Sequence, residues 1–534
     1  MLTYFAGLAG TEDAFLIHWL LWLSVALLVI LGAAIWMFLR KQLRLHQVFF
    51  VIVLWMGILY NIVLPPLSAP DEVIHFAGAY EVSSKLLSLP VMDEEKNPII
   101  RAEDEFIVNW PGDLDPTKAT VLGMKMDRDV YRAIHEKGLL HPTESGTGIT
   151  LQHPVLTSEI SYLLPGFGFA IARKLNLSVF GLLFLGRFMN LLLFSVLGSL
   201  SIRRTPVAKE AFFAVALFPM TLEMAGSLSY DAFILSVSFF TTATILDLSF
   251  RETPIGLRDV IEMAILAILL SPCKMIYAIL FALCLMIPVR RWRSPWQYAG
   301  SVLLIGSVIV GSILFVNFKE LFRYINAAGT TIAPEFTSEG AVATVKFHDL
   351  SEFIKEPVLL YRVVRNTLFI LGGEYLGTTV GMWLGHMDHG LVLRSSEIAW
   401  FWILLLIAAV PGHHDEQDIR FSRRVILLLT GVLLFLVILF SMLLAYTPAD
   451  TWYILGVQGR YFLPFLPALL IALRVNRLPM MLSEGIITTF RGRHRGIPMI
   501  KRICIRIPEC ALVVMLTLNA NILIRIFFII VRRV

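Results

Sequence analysis

The string Pro70-Asp71-Glu72-Val73-Ile74-His75 follows directly on an apolar run that ends at Leu64-Pro65-Pro66. Two adjacent carboxylates and a histidine beside a membrane span are costly to keep there without a use, so they are the first candidates for chemistry. Asp71 and His75 lie four residues apart, on one face of any helix that forms here. A carboxylate at a membrane surface among apolar helices gains proton affinity and can take a proton from an alcohol, which makes Asp71 the expected general base. Glu72 is its rival. It could orient an acceptor, share the base role, or join Asp71 in holding a hard divalent cation such as Mg or Mn, although nothing in the sequence requires a cofactor. His75 is then an orienting neighbour. The competing reading is structural: acids after a proline satisfy the free N–H groups and the dipole of a helix start. It accounts for one carboxylate and leaves the pairing with His75 unexplained.

Cations that could meet such a base lie far away in the chain. Arg460, in Val457-Gln458-Gly459-Arg460-Tyr461, carries a guanidinium fork that matches phosphate oxygens, and Gly459 would let a bulky head group approach the backbone. Its alternative is an interface anchor that snorkels. Lys274, after Ser271-Pro272-Cys273, could bind phosphate or snorkel in the same way. Arg362 and Arg365 lie on one helix face ahead of Glu374, and add further polar groups. Asp231, after Tyr230 in Ser227-Leu228-Ser229-Tyr230-Asp231, opens a helix that its own side chain could cap. His386 and Asp388 could line a site, whereas His413-His414-Asp415 shares its loop with Arg420, Arg423 and Arg424 and reads as solvated.

The elements that must position these residues are membrane spans. The chain is 57% hydrophobic and 16% charged over 534 residues, whereas soluble domains carry about a quarter charged residues. Ala14 to Leu39, Val48 to Leu64, Val179 to Ile202 and Val425 to Tyr446 are near or above the roughly 20 apolar residues that a helix needs to cross a bilayer. Strands do not account for such runs. The expected fold is all-α, a single polytopic transmembrane helix bundle over residues 1–534.

Charge is sorted along the chain. Residues 65–158 hold 15 Asp plus Glu against 8 Lys plus Arg, a net of −7, so the remainder carries +12 of the total of +5. Short basic loops mark the cytoplasmic side: Arg40-Lys41 with Arg44, Arg203-Arg204 with Lys209, Arg251 with Arg258, Arg290-Arg291-Trp292-Arg293, Arg420 with Arg423-Arg424, and the basic segment 474–508. The acidic loop 65–158, Asp231, Lys274, residues 318–398 and 447–460 then share the outer side. The parity requires about twelve spans, with 159–175 and 357–372 as interfacial helices. Residues 94–150 are the one sizeable non-membrane region and read as a small external cap, with a turn at Asn109-Trp110-Pro111-Gly112-Asp113 and a helix over 125–138.

Other classes find no support. Cys273, Cys284, Cys504 and Cys510 show neither CxxC spacing nor a histidine cluster and read as small buried hydrophobes. No GxSxG elbow, Walker loop, GxGxxG after a strand or HExxH occurs. The basic stretch from Arg474 to Arg506 has 8 Lys plus Arg against one Glu; beside spans it fits anionic membrane lipids rather than nucleic acid. The first apolar run is long and lacks a basic stretch before it, so it reads as a retained span rather than a cleaved leader.

An apolar helix, then Pro-Asp-Glu-x-x-His at 70–75, Gln152-His153-Pro154 before a proline-containing helix, Ser-Tyr-Asp at 229–231, and Gln-Gly-Arg-Tyr-Phe-Leu-Pro at 458–464 form an ordered set. That order resembles the bacterial membrane proteins catalogued as domain of unknown function 2142, a branch of the GT-C glycosyltransferase superfamily, over roughly 48–475. The resemblance implies a GT-C-like enzyme of the bacterial cytoplasmic membrane, with its site facing outward or to the periplasm. Such an enzyme moves a sugar from a polyprenyl-phosphate donor to a cell-envelope polysaccharide, glycolipid or protein. It implies a base at Asp71 or Glu72 and a late phosphate contact at Arg460, with Gln458, Tyr461, Tyr230 and His153 nearby. The span 14–39 departs from the family plan, as does the basic segment near the other end. From the residues alone, a transporter or flippase lined by Asp71, Asp231 and Arg460 stays open, as does a polysaccharide polymerase or ligase with a diphosphate-linked donor.

Overall fold

The computed structural model describes residues 2–40, 43–107, 126–142, 144–150, 152–155, 157–326, 332–336, 342–385, 391–412, 415, 417–474 and 506–533. The turn at 109–113, His386, Asp388, His413, His414, Cys504 and basic residues 475–505 lie outside them.

Among the described residues, seven helices are long and apolar enough to cross a membrane: Glu12–Phe38, Leu45–Val63, Val179–Arg204, Tyr230–Phe250, Pro295–Phe318, Phe421–Ala445 and Ile507–Arg532. Shorter apolar helices run over Met275–Met286, Ser395–Ala408 and Gly459–Leu473. The protein is a membrane-embedded, multi-pass helical bundle. Tyr230–Phe250 is the most enclosed span, with 89% of its apolar window buried, and Pro295–Phe318 the most peripheral, with 11%. The enclosed helix is rich in small hydroxyl residues that allow close helix approach without a water-driven hydrophobic effect; Ser236 Oγ donates a hydrogen bond to the Ala232 carbonyl at 2.6 Å.

Leu163–Lys174 has 12 residues, about 18 Å of helix, short of the roughly 30 Å of hydrocarbon, in keeping with the non-spanning helix expected over 159–175. Several other elements differ from expectation. The helix expected over 357–372 instead runs from Pro357 to Val380. Cys510 is exposed, unlike buried Cys273, because it faces outward from the Ile507–Arg532 helix. Asp415 is not a solvated loop residue: it accepts from Ala208 N at 2.6 Å and Gly412 N at 2.7 Å, and pairs with Arg474.

The acidic loop folds back on the helix ends. Ile99–Arg101 pairs antiparallel with Thr147–Ile149, and Asp104 accepts from Tyr80 Oη at 2.8 Å and Arg101 Nε at 2.7 Å. The amphipathic helix Arg128–Lys137 docks through Tyr131, whose hydroxyl donates to the Val63 carbonyl at 2.6 Å. That last bond holds the end of the Leu45–Val63 span, from which the 65–72 turn departs.

Candidate functional site

The helix Leu45–Val63 ends just before Pro65-Pro66, where the residue preceding a proline is driven out of the helical region. The turn that follows places Asp71 at φ 61°, in the left-handed region, before the helix Glu72–Leu86 begins. Neighbouring carboxylates are thereby sent in different directions. Glu72 is fully buried; its oxygens accept from Leu228 N at 2.9 Å and Ala69 N at 3.2 Å, and Oε1 lies 3.1 Å from Arg187 Nε. Arg187 also donates to the carbonyls of Gly226 at 2.7 Å and Leu64 at 2.8 Å. The expected roles of Glu72 as base, acceptor guide or metal ligand give way to that of a staple between the turn, the Val179–Arg204 helix and the start of Tyr230–Phe250.

Asp71 faces the other way, toward a cluster drawn from four separate segments. Its Oδ2 lies 2.8 Å from Arg460 Nη2. Arg460 Nε is 3.5 Å from Asp231 Oδ2, and Lys274 Nζ is 3.7 Å from Asp231 Oδ1. Two carboxylates and two cations alternate, and Asp71 is the most accessible, its side chain 31% exposed against 5% for Arg460. Burial raises the Asp71 carboxyl above the ordinary carboxylate value, and Arg460 opposes that rise. Arg460 is therefore no snorkelling anchor: it is buried and ion-paired.

Local structure frees these groups. The cap of Tyr230–Phe250 is Ser229, whose Oγ accepts from Asp231 N at 3.1 Å, so the Asp231 carboxylate is not used as a cap. Lys274 separates the helix Leu257–Leu270 from the 3-10 helix Met275–Met286 in extended conformation. Its ammonium stands 3.8 Å from the centroid of the Tyr461 ring and 5.7 Å from that of Tyr230. Aromatic faces at these distances stabilise a cation. The Tyr461 carbonyl accepts from Tyr277 Oη at 2.9 Å, fixing the turn that carries Arg460.

His75 stands behind the cluster rather than beside the Asp71 carboxylate. Nδ1 is 2.7 Å from Tyr162 Oη, Nε2 is 3.2 Å from Ser229 Oγ, and its ring packs edge-on to Tyr230 at 4.9 Å. Burial pushes the imidazole down to about 3, so it is neutral at ordinary pH. It positions the Ser229 cap and two tyrosines.

Other expected residues lie apart. Arg362 and Arg365 are exposed on the Pro357–Val380 helix, where Arg365 bonds Asn366 at 3.1 Å; their long side chains face away because the helix turns Val363 and Thr367 inward. Glu374 is half-buried on the same helix, His153 is exposed, and Gln458 is the half-buried residue that precedes the Gly459–Phe465 turn. Among the described residues, neither Arg362, Arg365, His153 nor Gln458 makes an ion pair with the cluster. Gly459 does not serve an arriving head group: it packs on the protein's own backbone, donating its N–H to Thr378 Oγ1 at 3.1 Å, and a Cβ there would collide with Thr379 N. Asp71 and Glu72 do not converge on one point, and no group of three or more His, Cys, Asp or Glu able to hold a metal occurs among the described residues.

Sequence reasoning passed over Arg187, Tyr162 and Glu223. Arg187 was signalled by its place inside a long apolar run, where an ionisable group needs a partner. Glu223 carried the same signal, as the one charged residue between 211 and 230; buried, it accepts from Gly385 N at 2.6 Å. Tyr162 carried none.

No curated protein and no solved structure matches the chain. Residues 49–469 match the family described as predicted membrane protein (DUF2142), a stretch that contains all four members of the cluster. The chain belongs to this DUF2142 family of predicted membrane proteins.

Proposed function

We propose that the protein is a GT-C-type glycosyltransferase that moves a sugar from a polyprenyl-phosphate donor to a cell-envelope acceptor at the outer face of a bacterial cytoplasmic membrane. In this reading the bundle has about twelve spans. The observation that carries it is the alternating cluster Asp71–Arg460–Asp231–Lys274. An accessible carboxylate of raised proton affinity suits a base, and a buried guanidinium with a half-buried ammonium beside it suits a phosphate leaving group.

The donor phosphate competes with Asp71 for Arg460 and settles between Arg460 and Lys274. Asp71, released, takes the proton of the acceptor hydroxyl as that oxygen attacks the anomeric carbon. The bond from the anomeric carbon to the phosphate oxygen breaks, its electron pair stays on the phosphate, and configuration inverts. Asp231 keeps both cations in place. The cations supply charge stabilisation that a divalent metal supplies elsewhere.

The test is transfer by the purified full chain in vesicles, with polyprenyl-phosphate-linked sugar and acceptor on one side. Product formed by the wild type and lost in Asp71→Asn supports the proposal. Full activity in Asp71→Asn would sink the base. Solute movement across the bilayer without product would favour a transporter or flippase, and use of a diphosphate-linked donor alone would favour a polymerase or ligase.

A further inference from the structure

At the far end of the most enclosed span lies a second polar site. Asp231 and Phe250 are 19 residues apart on the helix Tyr230–Phe250, roughly 28 Å along its axis, close to the thickness of a bilayer's hydrocarbon core. Phe250 borders a cavity of about 600 Å³. Arg290, Arg291, Arg420 and Arg423 line it, brought together from two loops and the first turn of a span.

Among the described residues these guanidinium groups have no counter-charge in contact. Arg423 donates to the Ser249 carbonyl at 2.5 Å, lies 4.1 Å from the Phe250 ring centroid, and feels the positive charges of Arg420, Arg291 and Arg290. Among the described residues none of the four forms an ion pair, although Glu252 and Asp418 also line the cavity. Arg291 Nε is buried without a hydrogen-bond partner. The helix Phe421–Ala445 starts here with no side-chain cap, so its positive dipole end adds to the field.

The rest of the wall is mixed, with Gln417 and Ser422 beside an apolar side. Leu285, Met286 and Ile426 line the same cavity, and Ile426 belongs to a span. Four cations, a helix start and an apolar side suit a phosphate joined to acyl chains.

The geometry points to a binding site for the phosphate head group of an anionic membrane lipid, on the opposite face from the Asp71 cluster. Its ligand chemistry is a phosphodiester or phosphomonoester held by arginine forks, with acyl chains along Leu285, Met286 and Ile426. This site is independent of the proposed transfer reaction.

Binding is measurable on the purified full chain by native mass spectrometry after exchange into phosphatidylglycerol or phosphatidylcholine nanodiscs. Arg290 and Arg420 are exposed, so Arg290→Gln/Arg420→Gln should leave elution and thermal midpoint unchanged. The control Arg203→Gln/Arg258→Gln removes the same charge from basic loops at the same end. Retention of phosphatidylglycerol should weaken about tenfold in the first variant, consistent with loss of charged hydrogen bonds, and stay within about twofold in the control. Arg290→Lys/Arg420→Lys, which keeps the charge without the fork, should fall between. Equal loss in test and control variants, or equal retention of phosphatidylcholine, would overturn the site. Displacement of the lipid by millimolar inorganic phosphate alone would assign the cavity to a soluble phosphate and overturn the lipid reading.

Discussion

Asp71 and Arg460, separated by 389 positions in the chain, meet at 2.8 Å. The contact is one of two that Arg460 makes with carboxylates, since Asp231 lies 3.5 Å from its Nε. A cation shared between two acids can lose one of them to an arriving anion without being left unpaired. That makes Asp71, the more exposed acid, the one that can exchange.

Asp71→Asn keeps a hydrogen-bonding side chain but removes the base. Sugar transfer should fall by about 100-fold to 10,000-fold, with membrane insertion unchanged. Because burial lifts the Asp71 carboxyl above its ordinary 3.8, wild-type turnover should rise with pH along a limb displaced upward from that value. A pH–rate profile checks both, and the limb should be missing from the residual activity of the variant.

Glu72→Gln should act on folding. Arg187 would be left buried without its carboxylate, which costs roughly 3–5 kcal/mol when one partner of a buried pair is removed. A lower thermal midpoint and less folded protein are expected, while transfer per folded molecule stays within a few-fold of wild type. Wild-type stability in this variant would remove the staple role.

Of this arrangement, Asp71, Asp231, Lys274 and Arg460 were legible because charged side chains beside apolar runs stand out one by one. Their meeting was not, since it depends on how four segments far apart in the chain pack. The divergence of Asp71 and Glu72 was hidden for a different reason: helical spacing assumes helical backbone, and Asp71 is not helical. The same assumption made Asp231 a cap, although Ser229 two residues earlier does that work. The apolar spans were read within a few residues of their ends, because the bilayer sets their length. The Gly459 contact with Thr378 and Thr379 lies between segments 80 residues apart and leaves no local trace.

Lys274→Met and Arg460→Lys separate binding from positioning. Losing a charged hydrogen bond is worth about 1.5–3 kcal/mol, so KM for the polyprenyl-phosphate donor should rise about tenfold or more in Lys274→Met, with a smaller change in kcat. Arg460→Lys keeps the charge and loses the fork, and kcat should fall as well because Asp71 and Asp231 are no longer held together. Steady-state kinetics with varied donor distinguishes the two patterns.

The neutral imidazole of His75 links folding to pH. Its value is near 6.5 when unfolded and about 3 in the fold, so between these limits the unfolded chain binds the extra proton. Stability should therefore decline as pH falls from 6.5 toward 3, by up to about 1.4 kcal/mol per pH unit. Thermal midpoints across that range should fall more steeply for wild type than for His75→Gln.

Gly459→Ala places a methyl group against the Thr379 backbone, an overpacking change of about 1–3 kcal/mol. The turn carrying Arg460 would shift, so a lower thermal midpoint should accompany weaker transfer. A substitution at exposed Arg362 should leave both unchanged.

The left-handed backbone at Asp71 also separates what the two neighbouring acids are for. Glycine would occupy φ 61° with less strain than any side chain, so Asp71→Gly is a change that relaxes the turn while silencing the site. The fold should depend less on this carboxylate, since Arg460 keeps Asp231 as a partner, than on the one at Glu72. Adjacent letters of one motif thus answer to opposed demands, durability at position 72 and reactivity at position 71.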